Sequence, residues 1–132
     1  MSEFWSDDIE EMHRKYGVHE KIADFDEEKM WKLLEFRRDF LKEEYYETSD
    51  AIDTRDVEEI VDGLIDLCVV AIGTLDLMGV DATIAWDRVY EANMSKEVGI
   101  KASRPNPLGL PDLIKPEGWT APSHEDNHGY FA

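Results

Sequence analysis

The sequence has one cysteine, no proline in its first hundred residues and few cations, and each shortage narrows what the chain can be. The single cysteine, Cys68, excludes an intrachain disulfide framework and fits a reducing compartment. Fourteen lysines and arginines stand against thirty-one aspartates and glutamates, a net charge of −17. That balance argues against a duplex-binding module, which neutralises phosphates with clustered basic residues. A phosphate-bearing small molecule stays open, provided divalent cations stand between it and the acids. All five prolines follow residue 104. A long apolar run is missing too: the stretch 67–75 is bounded by Asp66 and Asp76, far short of a bilayer span. The first residues are acidic and lack the positive start and apolar stretch of a secretory signal. No segment alternates like a strand with one exposed face, and there is no internal repeat. These absences predict a soluble, cytoplasmic, single-domain protein of 132 residues with no nucleic-acid or membrane partner.

What is present reads as helix. A first helix is expected over residues 7–16, with Ser6 as N-cap and Gly17 as the stop. A second starts after Asp26, carries Glu27 and Glu28 in its first turn, and runs to about Glu47. Thr54 is placed as N-cap of a third, which ends at Leu77 or Met78 with Gly79 closing it. Asp81 opens a fourth that lasts to about Lys96 and stops by Gly99. The fold class expected is all-α, a four-helix-type bundle with an extended proline-rich C-terminal arm. Residues 1–98 form the helical domain and residues 99–132 the arm of that same domain. The arm carries Leu108, Leu110, Leu113, Ile114 and Trp119, too much apolar surface for a plain linker, so it is expected to pack on its own bundle or on a neighbouring subunit.

The third helix is apolar on nearly every face between Ile60 and Leu75, the pattern of a buried helix. Yet Glu59, Asp62 and Asp66 project together from one narrow face. Unpaired acids on a buried helix cost several kcal/mol each, of order, to desolvate, so something cationic is expected there. The second helix turns from apolar to acidic along its inward line: Leu33, Phe36 or Arg37, Phe40, then Glu44 and Glu47, with Glu43 alongside. A short connection over residues 48–53 makes the two helices antiparallel and brings Glu44 and Glu47 to Glu59 and Asp62. Converging carboxylates suit a hard divalent cation, Mg²⁺ or Mn²⁺. A di-iron bundle would need two Glu-x-x-His pairs, and the one such spacing, Glu10 to His13, lies on another helix. A non-catalytic acidic protein mimicking DNA would spread its acids over an exposed face, whereas the telling acids here lie among apolar residues.

The pairs Glu43-Glu44-x-x-Glu47 and Glu59-x-x-Asp62, eleven residues apart, resemble the EExxE and ExxD signature of the MazG-like all-α nucleotide pyrophosphohydrolases. That superfamily includes dimeric dUTPases and phosphoribosyl-ATP pyrophosphohydrolases. The stretch from Arg38 into Glu43-Glu44, the continuation Asp62-Gly63-Leu64-Ile65-Asp66-Leu67 and the ending Asn93-Met94-Ser95-Lys96 resemble it too. Residues 8–13 are similar to the first helix of short phage and bacterial members. The resemblance implies a hydrolase that cuts a (d)NTP between its α- and β-phosphates, a purine dNTP such as dGTP being favoured, to a monophosphate and pyrophosphate. A dUTPase-like or phosphoribosyl-ATP-type hydrolase is the alternative. It further implies metal ligation by Glu44, Glu47, Glu59 and Asp62; triphosphate hydrolysis there is expected to use two or three Mg²⁺ or Mn²⁺ ions and a water oriented by Glu43 or Asp66 as catalytic base. The resemblance also implies that Asn93 and Lys96 contact the nucleotide and that the enzyme is a homodimer or homotetramer; His13 and Arg38 are further candidate nucleotide contacts.

Overall fold

A computed structural model describes residues 4–131. The chain divides into two compact units, one made of the segment up to Ala82 together with the stretch from Asn127, the other of Thr83–Asp126. The first unit holds α1 (Trp5–Lys15), α2 (Val18–Ile22), α3 (Glu27–Asp53) and α4 (Val57–Leu77). α3 and α4 are the long antiparallel pair, and α1 packs across α4. α5 (Ala82–Met94) leads into the second unit, which adds a pair of three-residue strands, β1 (Glu97–Gly99) and β2 (Asp112–Ile114).

The caps explain where the first unit's helices begin and end. Asp26 accepts from the Lys29 amide at 2.8 Å and Asp56 from the Glu59 amide at 3.2 Å, each satisfying an orphan donor of the first turn. Gly17 and Gly79 end α1 and α4 with positive φ, as the sequence predicts. Three expectations are corrected. Ser6 lies inside α1, with Phe4 at the N-cap position. A short helix, α2, follows Gly17 directly; five residues are too few to leave a readable period. Residues 48–53 are helical, so α3 runs to Asp53 and Thr54 caps its C-terminus rather than opening α4. No glycine or proline interrupts this stretch, and the Thr48 hydroxyl is satisfied within the helix by donating to the Glu44 carbonyl at 2.8 Å. The chain reverses at Arg55, which takes φ 58° while Asp56 N–H donates to Ala51 O and Arg55 N–H to Ile52 O. This is a Schellman closure built on a non-glycine residue.

The register of α3 on α4 is set by close approach. Gly63 is buried against Thr48, and an added Cβ would run into the Thr48 side chain. Gly73 likewise abuts Arg37. Arg37, half-buried, donates from Nε to Thr74 Oγ1 and from Nη2 to Val70 O, both at 3.0 Å. Of the sequence's two candidates for the inward position, Arg37 is therefore the one that turns in, while Phe36 is 63% exposed.

α4 also departs from the fully buried helix its composition predicts. Val61, Leu64 and Ile65 are 58%, 50% and 47% exposed, because α3 and α1 cover only part of its circumference. The end of the chain docks on the first unit: Asn127 bridges the amide and carbonyl of Asp81, Tyr130 N–H donates to Met78 O at 2.8 Å, and Phe131 meets Trp31 edge-on.

Within the second unit the segment after α5 folds back on it. β1 and β2 pair antiparallel, strands too short for a period of two to show in the sequence. Trp119 Nε1 donates to Ala92 O at 2.9 Å, and Arg88 clasps Asp126 with two bonds of 2.5 and 2.9 Å. α5 stops at Met94, two residues short of the expected end, and Ser95 Oγ turns back to Ala92 O.

Gly63→Ala is expected to destabilise the protein by about 1–3 kcal/mol, since a methyl there overpacks the α3–α4 contact. Chemical denaturation measures it. Thr48→Ala should remove part of that cost in the double variant, and strictly additive effects would contradict the contact.

Candidate active site

The acids gather where the register brings α3 and α4 together. Thr48 stands level with Gly63, and Arg37 with Gly73. The same register puts Glu44 level with Asp66, and Glu47 between Asp62 and Asp66. Glu44 is half-buried, and its Oε2 is sealed from solvent and accepts no hydrogen bond. Burial is the largest influence holding its carboxyl above the ordinary value, followed by the charges of Glu47, Asp66, Glu43 and Asp62. Asp66 is half-buried, and Glu43, Glu47 and Asp62 are exposed. Among the described residues no lysine, arginine or histidine forms an ion pair with any of these five.

The structure thus brings together Glu43, Glu44, Glu47, Asp62 and Asp66. Glu59 continues the α4 stripe one turn beyond Asp62, level with the Ala51–Ile52 end of α3, and is not among the charges acting on Glu44. The difference from the expected meeting of Glu44 with Glu59 follows from α3's extra helical residues, which slide the register towards Asp66. Arg38 is exposed and pairs with neighbouring Asp39 at 3.4 Å. His13 is buried, with Nδ1 2.6 Å from Asp76 Oδ2. Asn93 and Lys96 belong to the other unit, where the Lys96 ammonium lies 5.1 Å from the Trp119 ring centroid. The sequence gives no sign of one feature: the role of Asp76, whose histidine partners lie 63 and 57 residues away.

All-oxygen donors suit a hard divalent cation, although no three of these carboxylates bring their oxygens within 4.8 Å of one another. A carboxylate oxygen buried without a partner among four further acids is the arrangement that such an ion relieves. Glu44, Glu47 and Asp62 are the side chains that would hold it.

The sequence model of the phosphoribosyl-ATP pyrophosphohydrolase family matches residues 11–93. The chain belongs to that family. Phosphoribosyl-ATP pyrophosphohydrolases are all-α enzymes of the MazG-like superfamily, and the matched span contains α3, α4 and every acid of the cluster. The protein is accordingly a pyrophosphohydrolase acting on nucleotide phosphoanhydride bonds, in a family that typically depends on divalent metal. No curated protein and no solved structure matches the chain significantly.

A raised Glu44 pKa has a definite consequence. The fold favours the protonated carboxyl, so this group's stabilising contribution is present at acid pH and is lost as pH rises through the raised value. The metal-free protein should therefore lose thermal stability from this site as pH rises above the ordinary carboxylate range, and Mg²⁺ should restore more of it at the higher pH. Glu44→Gln should flatten both responses. A melting temperature with the same pH and Mg²⁺ response in wild type and variant would contradict the assignment.

Proposed function

We propose that the enzyme cleaves the α–β phosphoanhydride of a purine nucleoside triphosphate, releasing a monophosphate and pyrophosphate. The observation that carries this is the buried, unpartnered Glu44 oxygen inside a five-carboxylate cluster of a pyrophosphohydrolase fold. Such a concentration of negative charge repels a polyphosphate unless cations intervene. Divalent ions bound there, two or three Mg²⁺ or Mn²⁺, supply phosphate charge neutralisation and a more acidic water. Glu44, Glu47 and Asp62, with Glu59 at the rim, hold the cation side of the site. Asp66, half-buried beside Glu44, accepts the proton from the attacking water; Glu43, more exposed, is the second choice.

A second reading of the substrate, phosphoribosyl-ATP, is supported by the family match itself. Both substrates are adenine- or guanine-bearing triphosphates cut at the same bond. We also infer a homodimer or homotetramer, on the strength of the exposed Val61, Leu64 and Ile65 on α4. Leu64→Glu should then shift the light-scattering mass to that of one chain, and a wild type already of that mass removes the inference.

Hydrolysis assays with Mg²⁺ across the eight (d)NTPs, dUTP and phosphoribosyl-ATP test the reading. The expected result is a purine monophosphate plus pyrophosphate, with dGTP among the best substrates. Release of a diphosphate and orthophosphate rejects the α–β assignment. Glu47→Gln and Asp62→Asn should abolish turnover, and Asp66→Asn should lower kcat by about 10²–10⁴-fold, with helicity intact.

A further inference from the structure

A second cluster lies at the other end of α4. Asp76 is ten residues beyond Asp66, about 15 Å along the helix axis. His13 on α1 places Nδ1 2.6 Å from Asp76 Oδ2, and His19 on α2 places Nε2 2.7 Å from the same oxygen. The three donor atoms lie within 4.8 Å of one another, and the two imidazoles stand edge to face with centroids 5.9 Å apart. The site is well shielded: the side chains of His13, Asp76 and His19 are 11%, 18% and 35% exposed.

We propose that His13, His19 and Asp76 bind a borderline transition-metal cation, with Zn²⁺ as the expected ion, at a site separate from the acidic cluster. Two imidazole nitrogens and one carboxylate oxygen are a donor set selected by Zn²⁺ and its neighbours, whereas Mg²⁺ takes oxygen ligands. Among the described residues, the ion pairs of Asp76 are with these two histidines alone. A cation between the three atoms offsets the buried carboxylate charge and uses a lone pair of each ring. Tetrahedral bonds of about 2.0–2.1 Å put ligand atoms about 3.3 Å apart. Opening the present 2.6 and 2.7 Å spacings that far takes small side-chain rotations. Three protein ligands leave one position free. His19 also lines a cavity of about 390 Å³ with Phe25, Asp26, Met30 and Tyr130, which gives that position room for water or a small ligand.

The ligands come from three helices, so the ion fastens α1 and α2 to α4. α2 has only five residues and cannot hold its own helical conformation unaided. The proposal stands independently of the substrate and of the Mg²⁺ site.

Calorimetric titration of the full chain with Zn²⁺, in excess Mg²⁺ so that the acidic cluster is filled, tests it. One Zn²⁺ per chain is expected, and Co²⁺ in its place should give visible ligand-field bands. His19→Gln and Asp76→Asn should weaken Zn²⁺ at least about 100-fold and abolish the Co²⁺ bands, while Glu47→Gln should leave both unchanged. Should Asp76→Asn lose helicity, His19→Gln, on a part-exposed short helix, decides the matter alone. Absence of Zn²⁺ binding by the wild type, or wild-type binding by His19→Gln, overturns the proposal.

Discussion

Carboxylates on α3 and α4 repel one another across a helix–helix contact that Gly63 and Thr48 draw tight, and the rest of the structure is arranged around that repulsion. Glu44 bears the greatest share, with one oxygen shut away from water and the charges of Glu47, Asp66, Glu43 and Asp62 upon it. A fold carries such a cost at a functional site when a ligand returns it. On the proposed reading the ligand is cationic, and cations so held would present positive charge to the phosphoanhydride of a nucleotide substrate.

The opposite half of α4 solves a different problem with different residues. Arg37 is buried far enough that desolvation lowers its pKa, and it spends its donors on Thr74 Oγ1 and the Val70 carbonyl. Asp76 gathers His13 and His19. One helix therefore carries an all-oxygen donor cluster towards its N-terminal half and a mixed nitrogen–oxygen cluster near its C-terminus. On the two proposals made for these clusters, donor chemistry would discriminate two kinds of cation.

Much of this was legible in the residues. The glycines at 17 and 79 marked helix ends because only a left-handed residue closes those helices cheaply, and the acids of α4 stood out against an apolar run. Residue-level register did not read out. Residues 48–53 hold no glycine or proline and continue α3 as helix, which decided whether Glu44 met Glu59 or Asp66. α2 was too short to register, and Arg37 could not be told from Phe36 as the inward residue without knowing how α4 lay. The His13–Asp76–His19 grouping depended on a long-range fold contact with no local trace. Val61, Leu64 and Ile65 show the converse limit: apolar composition announced burial, but not that a single chain leaves those side chains half exposed.

The central claim is that the cluster on α3 and α4 is a cation site, and paramagnetic NMR addresses it most directly. Substoichiometric Mn²⁺ added to isotope-labelled protein should broaden the signals of residues 43–47 and 62–66 first, with Glu44 at the centre. Broadening that spares those residues, or that spreads evenly over the acidic surface, would show that the carboxylates face water and that the account of this site is wrong.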